Sequence, residues 1–226
     1  IETHGFQTLG QATSYLTGHP DWEGAILSRI ARMYERDKNH TCIVSWSLGN
    51  ESGCGTSTLL AAEWLRNRDF SRLVQYESGG ARTAATDIIC PMYQRPEWCR
   101  EQALGDPKKR PVILCEYAHA MGNSGGCLKQ YWDDIWSEEY PRLQGGFVWD
   151  MIDQGLQLQP HCPLFGGTAE PGAGYGGDFG DLPNTRQFCI NGLFGPKRDP
   201  HPSAYEAKAC MSPITAEIVT EEQTQE

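Results

Sequence analysis

The sequence predicts an α/β fold in which short buried strands, all running in one direction, alternate with amphipathic helices. Three observations predict it. Short apolar, β-branched runs recur along the chain. Between them, apolar residues repeat at helical spacing. Finally, 226 residues with 39% hydrophobic content suffice for one buried core but not for two large ones.

The elements follow in order. From Asp21 to Asp37, Ile26, Ile30, Met33 and Tyr34 mark one helical face, while Arg29, Arg32 and Arg36 fall toward another. Asn39-His40 is a natural stop. Cys42 to Leu48 is too short and too β-branched for a helix and reads as a buried strand. A second helix runs from Thr58 to Arg68 on Leu59, Leu60, Trp64 and Leu65, and Leu73 to Tyr76 is the next strand. Asp87 to Cys90 is a third strand, and Pro111 to Cys115, after a polar, Pro-containing connection, is a fourth. A helix from about Cys127 to Trp136 leads to a fifth, Gly146 to Trp149.

Such strands form a parallel sheet covered on both faces, either open and doubly wound or closed into a barrel. The polar residues favour the barrel. Asn50, Glu51, Glu77, Met92, Tyr93, Glu116, Trp149 and Asp150 gather just past strand C-terminal ends, where a (β/α)8 TIM barrel builds its active site. The expected fold is therefore a partial (β/α)8 TIM barrel, from about the end of the third strand, with Ile1-Glu2 as its tail, to the eighth. Residues 1–202 are assigned to the barrel and 203–226 to a linker or the start of a following β-sandwich domain. From Asp153 to Gly195 the chain is rich in Gly and Pro, as in a long ordered excursion over an active-site mouth. Thr220 to Glu226 is acidic and apolar-poor.

Composition narrows the function. A formal charge of −10 leaves no basic surplus for nucleic acid or an anionic membrane, and no run approaches the length of a membrane span. Ile1-Glu2-Thr3-His4 is not the basic and apolar opening of a targeting segment, so none is expected in these residues. The nine cysteines never form a CxxC pair, which weakens zinc and disulfide readings and fits reduced thiols in the cytoplasm. No phosphate-cradling glycine motif or G-x-S-x-G elbow is present.

Two strand-end glutamates suggest acetal hydrolysis, which needs a carboxyl group on each side of the anomeric carbon. Glu51 follows Trp46-Ser47-Leu48-Gly49-Asn50, and Glu116 follows Ile113-Leu114-Cys115. A lone strand-end Glu more often pairs with an Arg or a helix N-terminus. Two in one parallel sheet, one preceded by Asn, favour chemistry.

These residues also carry a resemblance. Ser47-Leu48-Gly49-Asn50-Glu51-Ser52-Gly53 and Leu114-Cys115-Glu116-Tyr117-Ala118-His119-Ala120-Met121-Gly122-Asn123 resemble the acid/base and nucleophile signatures of the large bacterial-type β-galactosidases of glycoside hydrolase family two. The similarity extends to Ile1-Glu2-Thr3-His4-Gly5, Thr86 to Tyr93, Gly145 to Asp150 and Arg186 to Gly192. It implies a retaining hydrolysis of terminal β-D-galactosides, with Glu51 as acid/base and Glu116 as nucleophile. It further implies galactose contacts from Asn50, Met92, Tyr93, His119, Trp149 and Asn191. Glu2, His4 and Glu51 match the family's magnesium (Mg²⁺) ligands, and Phe188 and Asn191 lie beside its sodium (Na⁺). A homo-oligomeric parent protein is implied as well.

The chain departs from the family at Met151, where members often carry a second Trp, and from Leu156 to Tyr175. The family's first three barrel strands, an aspartate ligand for sodium and flanking β-sandwich domains are expected to lie outside it. The competing readings are an inactive fragment or carbohydrate-binding remnant, and a related β-glucuronidase or β-mannosidase. The Cys115-Glu116-Tyr117-Ala118-His119 context and Pro91-Met92-Tyr93 favour the galactosidase.

Overall fold

The computed structural model describes residues 2–9, 16–79, 83–122, 124–157, 173–216 and 218, with the backbone alone for 3–9 and 157. The chain forms two compact units, Ile1–Tyr117 with Asp134–Val148, and Ala118–Asp133 with Trp149–Glu226. In order, the elements are β1 (Glu2–Leu9), α1 (Pro20–Asp37), β2 (Ser45–Ser47), β3 (Asn50–Cys54), α2 (Thr56–Arg66), β4 (Leu73–Gln75) and α3 (Pro96–Gly105). They continue with β5 (Val112–Tyr117), α4 (Leu128–Ile135), β6 (Leu143–Val148), β7 (Leu156–Gln157), β8 (Ala173–Gly174) and α5 (Pro202–Cys210). No helix among the described residues is long and apolar enough to cross a membrane.

The first unit is built on parallel strands. β2 pairs with β4 in register Trp46 to Val74, and β5 pairs with β6. Between these pairs, the Asp87 N–H donates to Val74 O at 2.8 Å, while Ile89 and Met92 form parallel bridges to Val112 and Glu116. Residues 87–92 thus lie between the two pairs, joined to β4 by a hydrogen bond and to β5 by parallel bridges, in the one-way order that alternating strands and helices favour. Among the described residues this array does not close on itself. β1 runs parallel to β3, with Glu2 opposite Asn50.

Several boundaries differ from the sequence expectation, each for a physical reason. The third strand, expected at Asp87 to Cys90, is reduced to two bridges. There the Thr86 hydroxyl donates to Ile88 O and accepts from Ile88 N–H and Tyr76 N–H, a local network that competes with the ladder. The fourth strand runs on to Tyr117, which is fully buried and paired in register with Val148, so Glu116 lies inside β5 rather than beyond it. Glu51 likewise sits within β3 and not in a loop. The connection read as polar contains α3, which starts on Pro96 and buries only Pro96, Cys99 and Ala103. The strand tail expected at Glu2 continues to Leu9.

Helix α1 buries Ile26 and Ile30 as its periodicity marked, but α2 turns Leu59 and Leu60 outward and packs Ala61, Ala62 and Leu65 inward, because the small alanines let the helix lie close to the sheet. Both helices share one core with Trp46, Val74 and Tyr76. Fully burying a side chain the size of Leu65 contributes about 1.5–3 kcal/mol. Tyr34 packs edge-on against Trp46 and Trp64, at 5.6 and 5.7 Å between ring centroids. At the strand starts, the buried Asp69 carboxylate accepts from Trp46 Nε1 and Arg72 Nη1, both at 2.8 Å, and from the Ser71 hydroxyl at 2.6 Å.

In the second unit, residues 150–153 lie against 191–194. Asp150 N–H donates to Asn191 O, Leu193 N–H to Asp150 O, and Asp153 N–H to Phe194 O. Gly192 is needed there because a Cβ would stand 2.3 Å from Asp153 N. The Glu206 carboxylate of α5, in the stretch assigned to a linker or the start of a following domain, accepts from Leu128 N–H at the start of α4 at 2.9 Å.

Candidate active site

The predicted site residues fall into two groups, one in each unit. Asn50, Glu51, Met92, Tyr93 and Glu116 belong to the first. Met92, Tyr93 and Glu116 stand at or near the C-terminal ends of parallel segments, whereas Asn50 and Glu51 open β3, three and four residues after β2 ends.

Glu116 and Tyr93 are joined twice. Tyr93 N–H donates to Glu116 O at 2.9 Å, and the Tyr93 hydroxyl donates to Glu116 Oε2 at 2.6 Å. Met92, buried and one residue before Tyr93, forms the parallel bridge to Glu116. Burial pushes the Glu116 carboxyl above its ordinary value; the Tyr93 hydroxyl pulls it down, and the charges of Glu51, Glu77 and Glu2 push it up again. Burial and the bond to Glu116 drive the Tyr93 hydroxyl upward, so it remains a donor.

Glu51 has a positive φ of 46° and Tyr93 one of 52°. A side-chain-bearing residue pays about 1–2 kcal/mol for this region. At Glu51 an external bond holds it there: its N–H donates to Glu77 Oε1 at 2.5 Å. Hydrogen bonds to a charged group contribute about 1.5–3 kcal/mol, enough to offset the strain. The sequence marked Glu77 only by its place just past a strand; the structure puts it two residues beyond β4, whereas Glu51 and Glu116 lie inside β3 and β5.

His119, Trp149, Phe188 and Asn191 form the second group. Asn191, 2% exposed, donates from Nδ2 to Phe188 O at 2.8 Å and faces His119 Nε2 at 3.2 Å. The rings of His119 and Phe188 are 5.6 Å apart. Trp149 is half-buried and joined to Asp150 by a cis peptide bond. Sequence reasoning did not single out the residues that hold this loop. Gly192 N–H donates to Asp153 Oδ1 at 2.7 Å, and His201 Nε2 lies 2.8 Å from Asp153 Oδ2. A cavity of about 460 Å³ beside Asp153, Gly192, His201 and Glu206 contains none of the predicted site residues.

Both groups bear on the two expected ions. Among the described residues Asn191 Oδ1 is buried with no hydrogen-bond partner, while Phe188 O accepts from Nδ2 of the same carboxamide. Two neutral oxygens of that kind suit a hard monovalent cation. For magnesium, Glu2 is placed opposite Asn50, next to Glu51, in carboxylate chemistry that suits the ion. The His4 side chain lies outside the described residues, and no group of three or more His, Cys, Asp and Glu residues able to hold a metal occurs among those described.

A profile of the family described as glycosyl hydrolases family 2, TIM barrel domain, matches residues 1–216. The chain belongs to that family. A beta-galactosidase of Yersinia pestis bv. Antiqua (strain Angola) is 50% identical over 222 residues, covering 93% of this chain and 20% of its own length. One from Yersinia pseudotuberculosis serotype O:3 (strain YPIII) matches with the same identity and coverage. The family 2 chain therefore spans about one fifth of the length of these curated relatives. Among solved structures, the Ruminococcus gnavus beta-glucuronidase in complex with uronic isofagomine superposes with a TM-score of 0.54 at 16% identity, covering 85% of this chain and 35% of that one. A likeness at that identity speaks for the fold alone, and the fold is the expected one.

Proposed function

We propose that the protein carrying this chain is a retaining β-galactosidase, with Glu116 as nucleophile and Glu51 as acid/base. The observation that carries this reading is the Tyr93 hydroxyl on Glu116 Oε2. A nucleophilic carboxylate must be ionised, and burial beside Glu51, Glu77 and Glu2 works against that; the Tyr93 bond counters it. The 50% identity to beta-galactosidases supports galactose as the sugar.

In the first step a Glu116 oxygen attacks the anomeric carbon. The bond to the aglycone oxygen breaks, and Glu51 gives that oxygen its proton. In the second, the Glu51 carboxylate takes a proton from water, whose oxygen attacks the anomeric carbon and releases Glu116. Two inversions retain the configuration and require carboxyls about 5–5.5 Å apart. Asn50 would bond the sugar 2-hydroxyl, with Met92, Tyr93, His119, Trp149 and Asn191 around the ring.

Glu2, His4 and Glu51 would hold magnesium, and Phe188 O with Asn191 Oδ1 would hold sodium. When bound, these ions supply fixed positive charge near the acid and near the sugar hydroxyls. A homo-oligomer in the cytoplasm is part of the same proposal; the free cysteines among the described residues fit a reducing compartment.

The test is hydrolysis of p-nitrophenyl β-galactoside and p-nitrophenyl β-glucuronide by the full protein and by Glu116→Gln. Galactoside turnover that Glu116→Gln abolishes, with little on the glucuronide, is the expected result. Preference for the glucuronide overturns the substrate, and activity surviving in Glu116→Gln overturns the nucleophile.

A further inference from the structure

We propose that Glu77 is a positioning residue that fixes the main chain of Glu51, so that the acid carboxyl reaches the leaving oxygen; this rests on the assignment of Glu51 as acid/base. The argument begins with the strand that carries Glu51. Along β3, Asn50 pairs with Glu2 and Ser52 with Phe6, so two residues of β3 span four of β1. Glu51 sits within this irregularity, where the ladder gives it no regular register. Irregularities of this kind re-aim a side chain, at the cost of leaving main-chain groups to be satisfied elsewhere.

Glu77 satisfies one. Its Oε1 accepts the Glu51 N–H at 2.5 Å and also the Ser78 hydroxyl at 2.7 Å. The side chain comes from just beyond β4, the strand paired with β2, and the residue is only 6% exposed. A buried carboxylate anchored by its neighbour's hydroxyl gives a fixed acceptor, and a charged acceptor binds an N–H more strongly than a neutral one. The bond holds Glu51 at a φ of 46°, a conformation that a glutamate released from it would tend to leave. Rotation about the Glu51 main chain carries the acid carboxyl with it. Proton delivery to the leaving group depends on hydrogen-bond reach, so that step is the one that suffers.

Loss of acid positioning has a signature that general loosening lacks. A dinitrophenolate leaves without protonation, whereas a methoxide does not. The experiment measures kcat/KM of the full protein for 2,4-dinitrophenyl and methyl β-galactosides, in wild type, Glu77→Asp, Glu77→Met and Glu77→Gln. Asp retracts the acceptor while keeping the charge, Met removes it at similar volume, and Gln keeps an amide oxygen in reach. The expected result is a ratio of activated to unactivated substrate that rises about tenfold or more in Glu77→Asp and Glu77→Met, with Glu77→Gln, a weaker neutral acceptor in the same place, between these variants and wild type. If Glu77→Met fails to fold, Glu77→Asp still decides the question. A wild type active on both substrates, with variants that slow both equally or neither, overturns the role of Glu77 alone. A wild type inert on both overturns the galactosidase reading and this inference with it.

Discussion

Replacing Tyr93 with Phe isolates one bond at the proposed nucleophile. The Tyr93 hydroxyl donates to Glu116 Oε2 at 2.6 Å, and Phe keeps the ring while deleting that donor. Tyr93 is 43% exposed, so little packing is lost and thermal stability should hardly change. A hydrogen bond to a charged group contributes about 1.5–3 kcal/mol. At about 1.4 kcal/mol per tenfold, kcat/KM for an aryl β-galactoside should fall about 10- to 150-fold. The pH dependence has a definite sign. Burial raises the Glu116 carboxyl, and Tyr93 lowers it by favouring the carboxylate. Without Tyr93 it rises further, so the ionised nucleophile disappears at a higher pH as acid is added. The assay is kcat/KM against pH for both proteins, and the acid limb should move to higher pH in Tyr93→Phe. An unmoved limb with unchanged kcat/KM would refute the reasoning.

Two further predictions concern the frame around the site. Asp69→Asn removes the charge and turns one of two accepting oxygens into a donor facing other donors, and should cost about 3–5 kcal/mol, as for breaking a buried ion pair, read as a lower denaturation midpoint. Burial acts to raise the Asp69 carboxyl, but bonds from Ser71, Trp46 and Arg72 hold it well below the ordinary range. Its stabilisation is therefore present above about pH 4, the unfolded value, and lost as pH falls through the lower folded one. Asp69→Asn should flatten that acid-side loss, and an equally steep loss in both proteins would count against the network. Gly192→Ala forces a Cβ to 2.3 Å from Asp153 N, backbone that cannot yield cheaply. Overpacking of about 1–3 kcal/mol should lower Tm by several degrees. Gly24→Ala in α1, with nothing within 4 Å of its Cβ, should hold or raise Tm; equal effects would contradict the packing argument.

Periodicity made α1 and α2 legible because each buries large apolar residues, such as Ile30 and Leu65, against one core. It missed α3, whose buried face of Pro96, Cys99 and Ala103 is too small to mark a repeat. Strand ends were read too early at Cys115 because Glu116 looks polar, yet Tyr117 beyond it is fully buried and carries the strand on. At the site, residue types and order pointed to Glu51 and Glu116. The bonds that tune them, Tyr93 to Glu116 and Glu51 to Glu77, join residues 23 and 26 positions apart, and no local pattern announces them. Asp153 was likewise invisible, since its role depends on Gly192 and His201 arriving beside it.

The central claim is that Glu116 forms the covalent bond to the sugar, and trapping that bond tests it most directly. The full protein would be incubated with 2,4-dinitrophenyl 2-deoxy-2-fluoro-β-galactoside, whose fluorine slows release of the glycosyl-enzyme, then digested and mapped by mass spectrometry. The account predicts one fluorogalactosyl group per chain, on the peptide containing Glu116, formed as dinitrophenolate is released. Label on Glu51 or Glu77, or no label from an enzyme that turns over β-galactosides with inverted configuration, would contradict it.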